Sequence, residues 1–66
     1  MVQPHQQRVI DEQTELQVKM KALDHFINES EVFKSLEEID KILLKQQFRA
    51  MIDYDHILGL RINRFK

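Results

Sequence analysis

No glycine or proline interrupts the chain between Pro4 and Gly59, and apolar residues recur there at helical spacing on both sides of one polar break. Glycine and proline are the strongest local punctuators of structure, so a long stretch without them that carries a 3.6-residue apolar period reads as helix. One break between two such stretches folds them into a hairpin. The fold class expected is all-α: an antiparallel two-helix hairpin over about 4–28 and 36–65, forming a single domain across residues 1–66 and assembling as a homo-oligomer.

The expectation of assembly comes from size. A fold below roughly 70–80 residues rarely gains more than about 3–5 kcal/mol from one core, and recruits disulfides, metals or partner subunits. This chain has 66 residues and no cysteine, which removes disulfides and thiolate metal sites together. A second copy is the remaining support. The net charge of −1 excludes a duplex nucleic-acid partner, which calls for a strongly basic face. No apolar run approaches the roughly 20 residues of a membrane span. The opening Met-Val-Gln-Pro-His-Gln-Gln lacks the charged and apolar regions of a signal peptide, so an intracellular, membrane-free product is expected.

Pro4 suits the first helical turn, where its missing N–H is not needed. From there Val9, Gln13, Leu16, Met20, Leu23 and Ile27 follow at alternating steps of four and three, one stripe on one helix face. Gln13 is the polar member of that seam; it either fixes register against a neighbouring helix or sits near solvent. The break is Asn28-Glu29-Ser30-Glu31 followed by Val32-Phe33-Lys34. Ser30 is placed to cap a short turn that tucks Val32 and Phe33 over the open end of the hairpin. Ser35-Leu36-Glu37-Glu38 then reads as a capping box that starts the second helix.

The second helix carries two stripes. One is Leu44, Phe48, Met51, Asp55, Leu58, Ile62 and Phe65; the other is Leu43, Gln47, Ala50, Tyr54 and Ile57, with Ile39, Ile42 and Ile52 adding apolar surface. A single partner helix covers roughly one such stripe. The surplus calls for another copy or another protein, and Leu44, Phe48, Met51, Leu58, Ile62 and Phe65 are the residues expected at an oligomer interface.

Charge is sorted along the hairpin. Residues 11–40 hold nine acids against Lys19, Lys21 and Lys34, whereas residues 45–66 hold five bases against Asp53 and Asp55. Antiparallel folding brings Arg61, Arg64 and Lys66 beside His5 and Arg8, giving a basic terminal end and an acidic tip. The first helix also begins at that end, with its unpaired N–H groups, so the combination is suited to phosphate. The competing reading is ordinary: basic residues favour the C-terminal end of their own helix, and exposed arginines mostly solvate.

The remaining candidates are weaker. Tyr54 is the single tyrosine and is either a stacking platform or an interface residue. Asp53 and His56 share a face, but no second histidine matches their spacing, so no metal is expected. His25 reads as a helix-surface or interface-edge residue. Gly59 costs a helix interior about 1 kcal/mol against alanine, which either admits a close neighbour or marks a fraying end. There is no phosphate-binding glycine loop and no cysteine nucleophile, and Ser30 and Ser35 lie in the acidic connection without a nearby histidine, so no catalysis and no cofactor are expected.

Three sequence words go beyond a generic helix: Pro4-His5-Gln6-Gln7-Arg8-Val9-Ile10-Asp11-Glu12, Leu23-x-x-Phe26-Ile27, and Met51-x-x-Tyr54-x-x-Ile57-Leu58-Gly59-x-Arg61-Ile62. In them the chain resembles a set of very short phage proteins described by their relation to a crAss-like phage gene product, a resemblance that covers nearly its whole length. It implies a phage or prophage origin, and with it the host cytoplasm. In architecture the chain is also similar to the phage sponges that counter CBASS and Thoeris defence, small oligomeric helical hairpins that hold cyclic nucleotides or cyclic ADP-ribose derivatives without cleaving them; no residue is carried over from these. The function expected is sequestration of a small phosphorylated host signal by His5, Arg8, Tyr54, Arg61 and Arg64. The rivals are an inhibitor or adaptor that docks on a host protein through the second helix, and a minor structural or regulatory phage component.

Overall fold

The computed structural model describes residues 2–65. It consists of α1 (Pro4–Glu29), α2 (Glu31–Lys34) and α3 (Glu38–Asn63). The two long helices lie against each other along a rod of 48 × 15 × 14 Å. Each has 26 residues, hence about 39 Å of length at roughly 1.5 Å per residue, so neither overhangs the other much.

α1 opens as its sequence dictates. Pro4 occupies the first turn, and the Gln3 N–H donates to the Gln6 side-chain oxygen at 3.0 Å. At its far end the Asn28 amide donates to the carbonyl of Asp24 at 2.9 Å and to its carboxylate at 2.8 Å. The Ser30 N–H still reaches the Phe26 carbonyl at 3.2 Å, and there the helix stops.

The tip is built by two serines. The Ser30 hydroxyl accepts from the Val32 N–H at 3.1 Å and caps the single turn of α2. Phe33 is thereby turned inward. Its ring meets Phe26 edge-on, with centroids 5.9 Å apart, and the Lys45 ammonium stands 6.0 Å above it from α3. Phe33 closes the open end of the hairpin at 6% exposure, while Val32, expected beside it, points to solvent at 61%. The capping box expected at Ser35 is not formed. The Ser35 hydroxyl instead donates to the Val32 carbonyl at 2.8 Å, finishing α2, and Glu37 becomes the cap residue of α3. That helix consequently starts two residues later than the capping-box pattern predicts, and it ends at Asn63.

The core between α1 and α3 is narrow. Val9, Leu16 and Leu58 form its centre, with Met20, Met51, Ile62 and Phe65 packed around it, and Leu58 alone is fully enclosed. Among the described residues ten large apolar side chains stay exposed, most of them on α3. Among the described residues no helix is long and apolar enough to cross a membrane.

Candidate functional site

Register is fixed where α1 meets the middle of α3. Gln17 donates its amide to the Asp55 carboxylate at 3.1 Å, and Gln13 reaches the Asp55 main-chain carbonyl at 3.4 Å. Gly59 lies one turn beyond that carbonyl, beside Gln13. A methyl group there would lie 3.5 Å from the Gln13 amide nitrogen, an ordinary contact, so the approach does not require glycine. Gln13 is thus a register residue.

This register carries residues 5–8 of α1 opposite residues 61–64 of α3. His5, Arg8, Arg61 and Arg64 are therefore gathered at one end of the rod, all exposed. Among the described residues none of the three arginines has a carboxylate within 4.0 Å; the ion pairs present are Lys34–Glu31, Lys41–Glu38 and Arg49–Asp53, each within a single helix. The first turn of α1 holds no acidic residue. Its N–H groups at Gln6 and Gln7 already donate to the Gln3 carbonyl, each at 2.9 Å, so the attraction of this end for an anion comes from its side chains more than from the helix terminus. Lys66, expected at the same end, lies outside the described residues.

Tyr54 is not part of that group. It stands on the flank of α3, half-exposed, seven residues and about 10 Å of helix before Arg61. The six residues expected at an oligomer interface are also differently placed. Leu58 is fully enclosed inside the hairpin, Met51, Ile62 and Phe65 pack on the same core, and Leu44 and Phe48 are half-buried. This seam is occupied by α1, since the polar contacts at Asp55 turn that face of α3 inward. The apolar surface left over on α3 is Leu43, Tyr54 and Ile57 of the other stripe, together with Ile39, Ile42, Ile52 and Leu60.

One groove went unforeseen. Gln17, Met20, Lys21, Asp24, Phe48 and Asp55 line an open hollow of about 270 Å³ along the side of the hairpin. Its floor is apolar and its rim holds two carboxylates against one ammonium, which disfavours an anion. Gln17 and Asp55 carried a sequence signal only in hindsight, as a polar pair facing one another at helical spacing across the seam.

The chain is thus a small helical hairpin whose described residues place His5, Arg8, Arg61 and Arg64 at one end and leave apolar side chains exposed along α3. The Sequestin family model matches residues 3–64, and the chain belongs to that family. The name is consistent with a sequestering role, and the match carries no link to a crAss-like phage gene product. No curated protein and no solved structure matches.

Proposed function

We propose that this protein is a phage-encoded anti-defence factor that sequesters a small phosphorylated host signal, of the cyclic-nucleotide or ADP-ribose type, without cleaving it. The observation that carries the reading is the gathering of His5, Arg8, Arg61 and Arg64 at one end of a hairpin in the Sequestin family. Arginine presents its donors in a planar fork that grips two phosphate oxygens at once, and it stays charged at any physiological pH. His5 adds a ring nitrogen to the same end. Sequestration asks only for affinity, so nothing beyond these side chains is required of the site. Tyr54, farther along α3, would stack on a base only in a ligand long enough to reach it.

The test is mass spectrometry of small molecules released by heating protein purified from a signal-producing host. An intact phosphorylated nucleotide is expected in stoichiometric amount. Replacing Arg61 or Arg64 with alanine removes charge-assisted hydrogen bonds of about 1.5–3 kcal/mol, hence roughly tenfold or more in affinity. A hydrolysed product, or an empty protein from a host rich in the signal, contradicts the reading.

A second reading has its own support. The exposed side chains of Ile39, Leu43, Tyr54 and Ile57 are suited to a helix-in-groove contact with a host protein. Such an adaptor would capture its target equally well after loss of Arg61 and Arg64.

A further inference from the structure

The hollow along the side of the hairpin has a lining of mixed chemistry. Met20 and Phe48, both half-buried, give it an apolar floor, and Gln17, Lys21, Asp24 and Asp55 stand around them. We propose that this groove binds a purine base of the guanine type, its ring laid against Phe48 and Met20 and its polar edge read by Asp24 and Lys21.

Size and charge narrow the occupant. Pockets for drug-sized ligands run from roughly 300 to 1,000 Å³. A hollow of about 270 Å³ suits a smaller group, of one or two rings. Its floor asks for a flat apolar face, since aromatic rings stack on phenylalanine and methionine sulfur packs well against them. A bound anion would meet two carboxylates, and a bound cation would meet the Lys21 ammonium. A neutral, flat group with donors and acceptors along one edge meets neither objection, and a nucleobase has that character.

The donor pattern selects among the bases. Lys21 and Asp24 stand three residues apart on α1, where side chains are neighbours. Even so, among the described residues no carboxylate lies within 4.0 Å of the Lys21 ammonium. The Asn28 amide donates to the Asp24 carboxylate at 2.8 Å, and the Gln17 amide donates to that of Asp55 at 3.1 Å. Each bond steadies a carboxylate through one oxygen and leaves its other oxygen without a donor among the described residues. An ionised carboxylate only accepts, and an ammonium only donates. Guanine presents N1–H and its 2-amino group side by side, with the O6 acceptor next to them. Asp24 takes the two donors and Lys21 gives to O6. Adenine and cytosine would instead turn a ring-nitrogen acceptor toward the carboxylate, which is repulsive. Asp55, from α3, is left to accept from ribose hydroxyls.

The groove stands apart from the cationic end. Around each helix, at about 3.6 residues per turn, its residues and Arg8, Arg61 and Arg64 fall on opposite sides of the core stripe. The proposal does not rest on the sequestering role.

Guanosine carries no phosphate and so probes the groove alone. The full-length protein, labelled at its methionine methyl groups, is titrated with guanosine, inosine and adenosine to millimolar concentration and followed by NMR. Guanosine should shift the Met20 methyl signal saturably. Inosine, which lacks the 2-amino group, should bind roughly tenfold more weakly, and adenosine more weakly still. Asp24→Asn keeps an acceptor for Asn28 but sets an amide donor against the 2-amino group. It should erase the preference for guanosine over inosine while the circular dichroism stays that of wild type. Lys21→Met should weaken guanosine and inosine alike, because both carry O6. An unmoved Met20 signal, equal binding of guanosine and adenosine, or a preference for guanosine that survives Asp24→Asn overturns the proposal.

Discussion

Two faces of α3 have nearly the same sequence character and opposite fates. Leu44, Phe48, Met51, Leu58, Ile62 and Phe65 are turned toward α1, and Leu58 at their centre has no exposure at all. Ile39, Leu43, Tyr54 and Ile57, rotated around the same helix, remain half open to solvent. Hydrophobicity separates them only in part: the first row has large apolar side chains at six of its seven positions, the second at four of six, with Gln47 and Ala50 in its middle. Polar contact adds to the difference. Asp55 lies in the first row, where Gln13 and Gln17 of α1 meet it, and among the described residues no side-chain hydrogen bond joins the second row to α1. A buried row supports the hairpin; an uncovered row is surface that only another molecule can hide.

The largest effect expected from this contrast is at Leu58. Truncating a fully buried leucine to alanine costs about 2–5 kcal/mol, comparable with all the stability that a chain this small is able to hold. Leu58→Ala should therefore lose its cooperative thermal transition, followed by circular dichroism at 222 nm. Retention of a wild-type melting curve would mean that the inner row does not support the fold.

Gly59→Ala is expected to act in the opposite direction. The helix gains up to about 1 kcal/mol in propensity, and the new methyl group meets the Gln13 amide at an ordinary 3.5 Å. The midpoint of unfolding should rise by a few degrees in a domain of this size. A fall would show that the approach of Gln13 to Asp55 is worth more than the propensity gained, or that something beyond this chain presses on position 59.

The smallest effect belongs to the outer row. Leu43→Ser changes an exposed side chain, and hairpin stability at high dilution should stay within about 0.5 kcal/mol of wild type. At high concentration the same variant should lose its concentration-dependent gain in stability, because binding to the folded state is what raises the midpoint. A large loss at high dilution would place Leu43 in the hairpin core and erase the distinction between the rows.

Much of this arrangement was legible in the residues. The gap between Pro4 and Gly59 defined the two helices, Ser30 marked the tip, Phe33 was foreseen as its lid, and the charges of Arg8, Arg61 and Arg64 implied a basic end. What the residues left open was contact geometry. Periodicity marks a stripe without saying which helix will cover it, so the row around Leu58 passed for an intermolecular seam. Ser35 fits a capping box equally well on paper, but its hydroxyl is drawn to the Val32 carbonyl by the preceding turn. Gln17 and Asp55 lie 38 residues apart, and only the folded register makes them partners. Tyr54, expected as a stacking platform nearer the middle of the hairpin, stands on the flank of α3 away from the basic end.

Sedimentation equilibrium of the intact chain, followed from about 1 to 100 micromolar, tests most directly whether the uncovered row is covered by a copy. The mass should rise with concentration from the 8.0 kDa of one chain toward twice that value, and Leu43→Ser should abolish the rise. A single species of one-chain mass across the whole range, with the outer row still exposed, would contradict it.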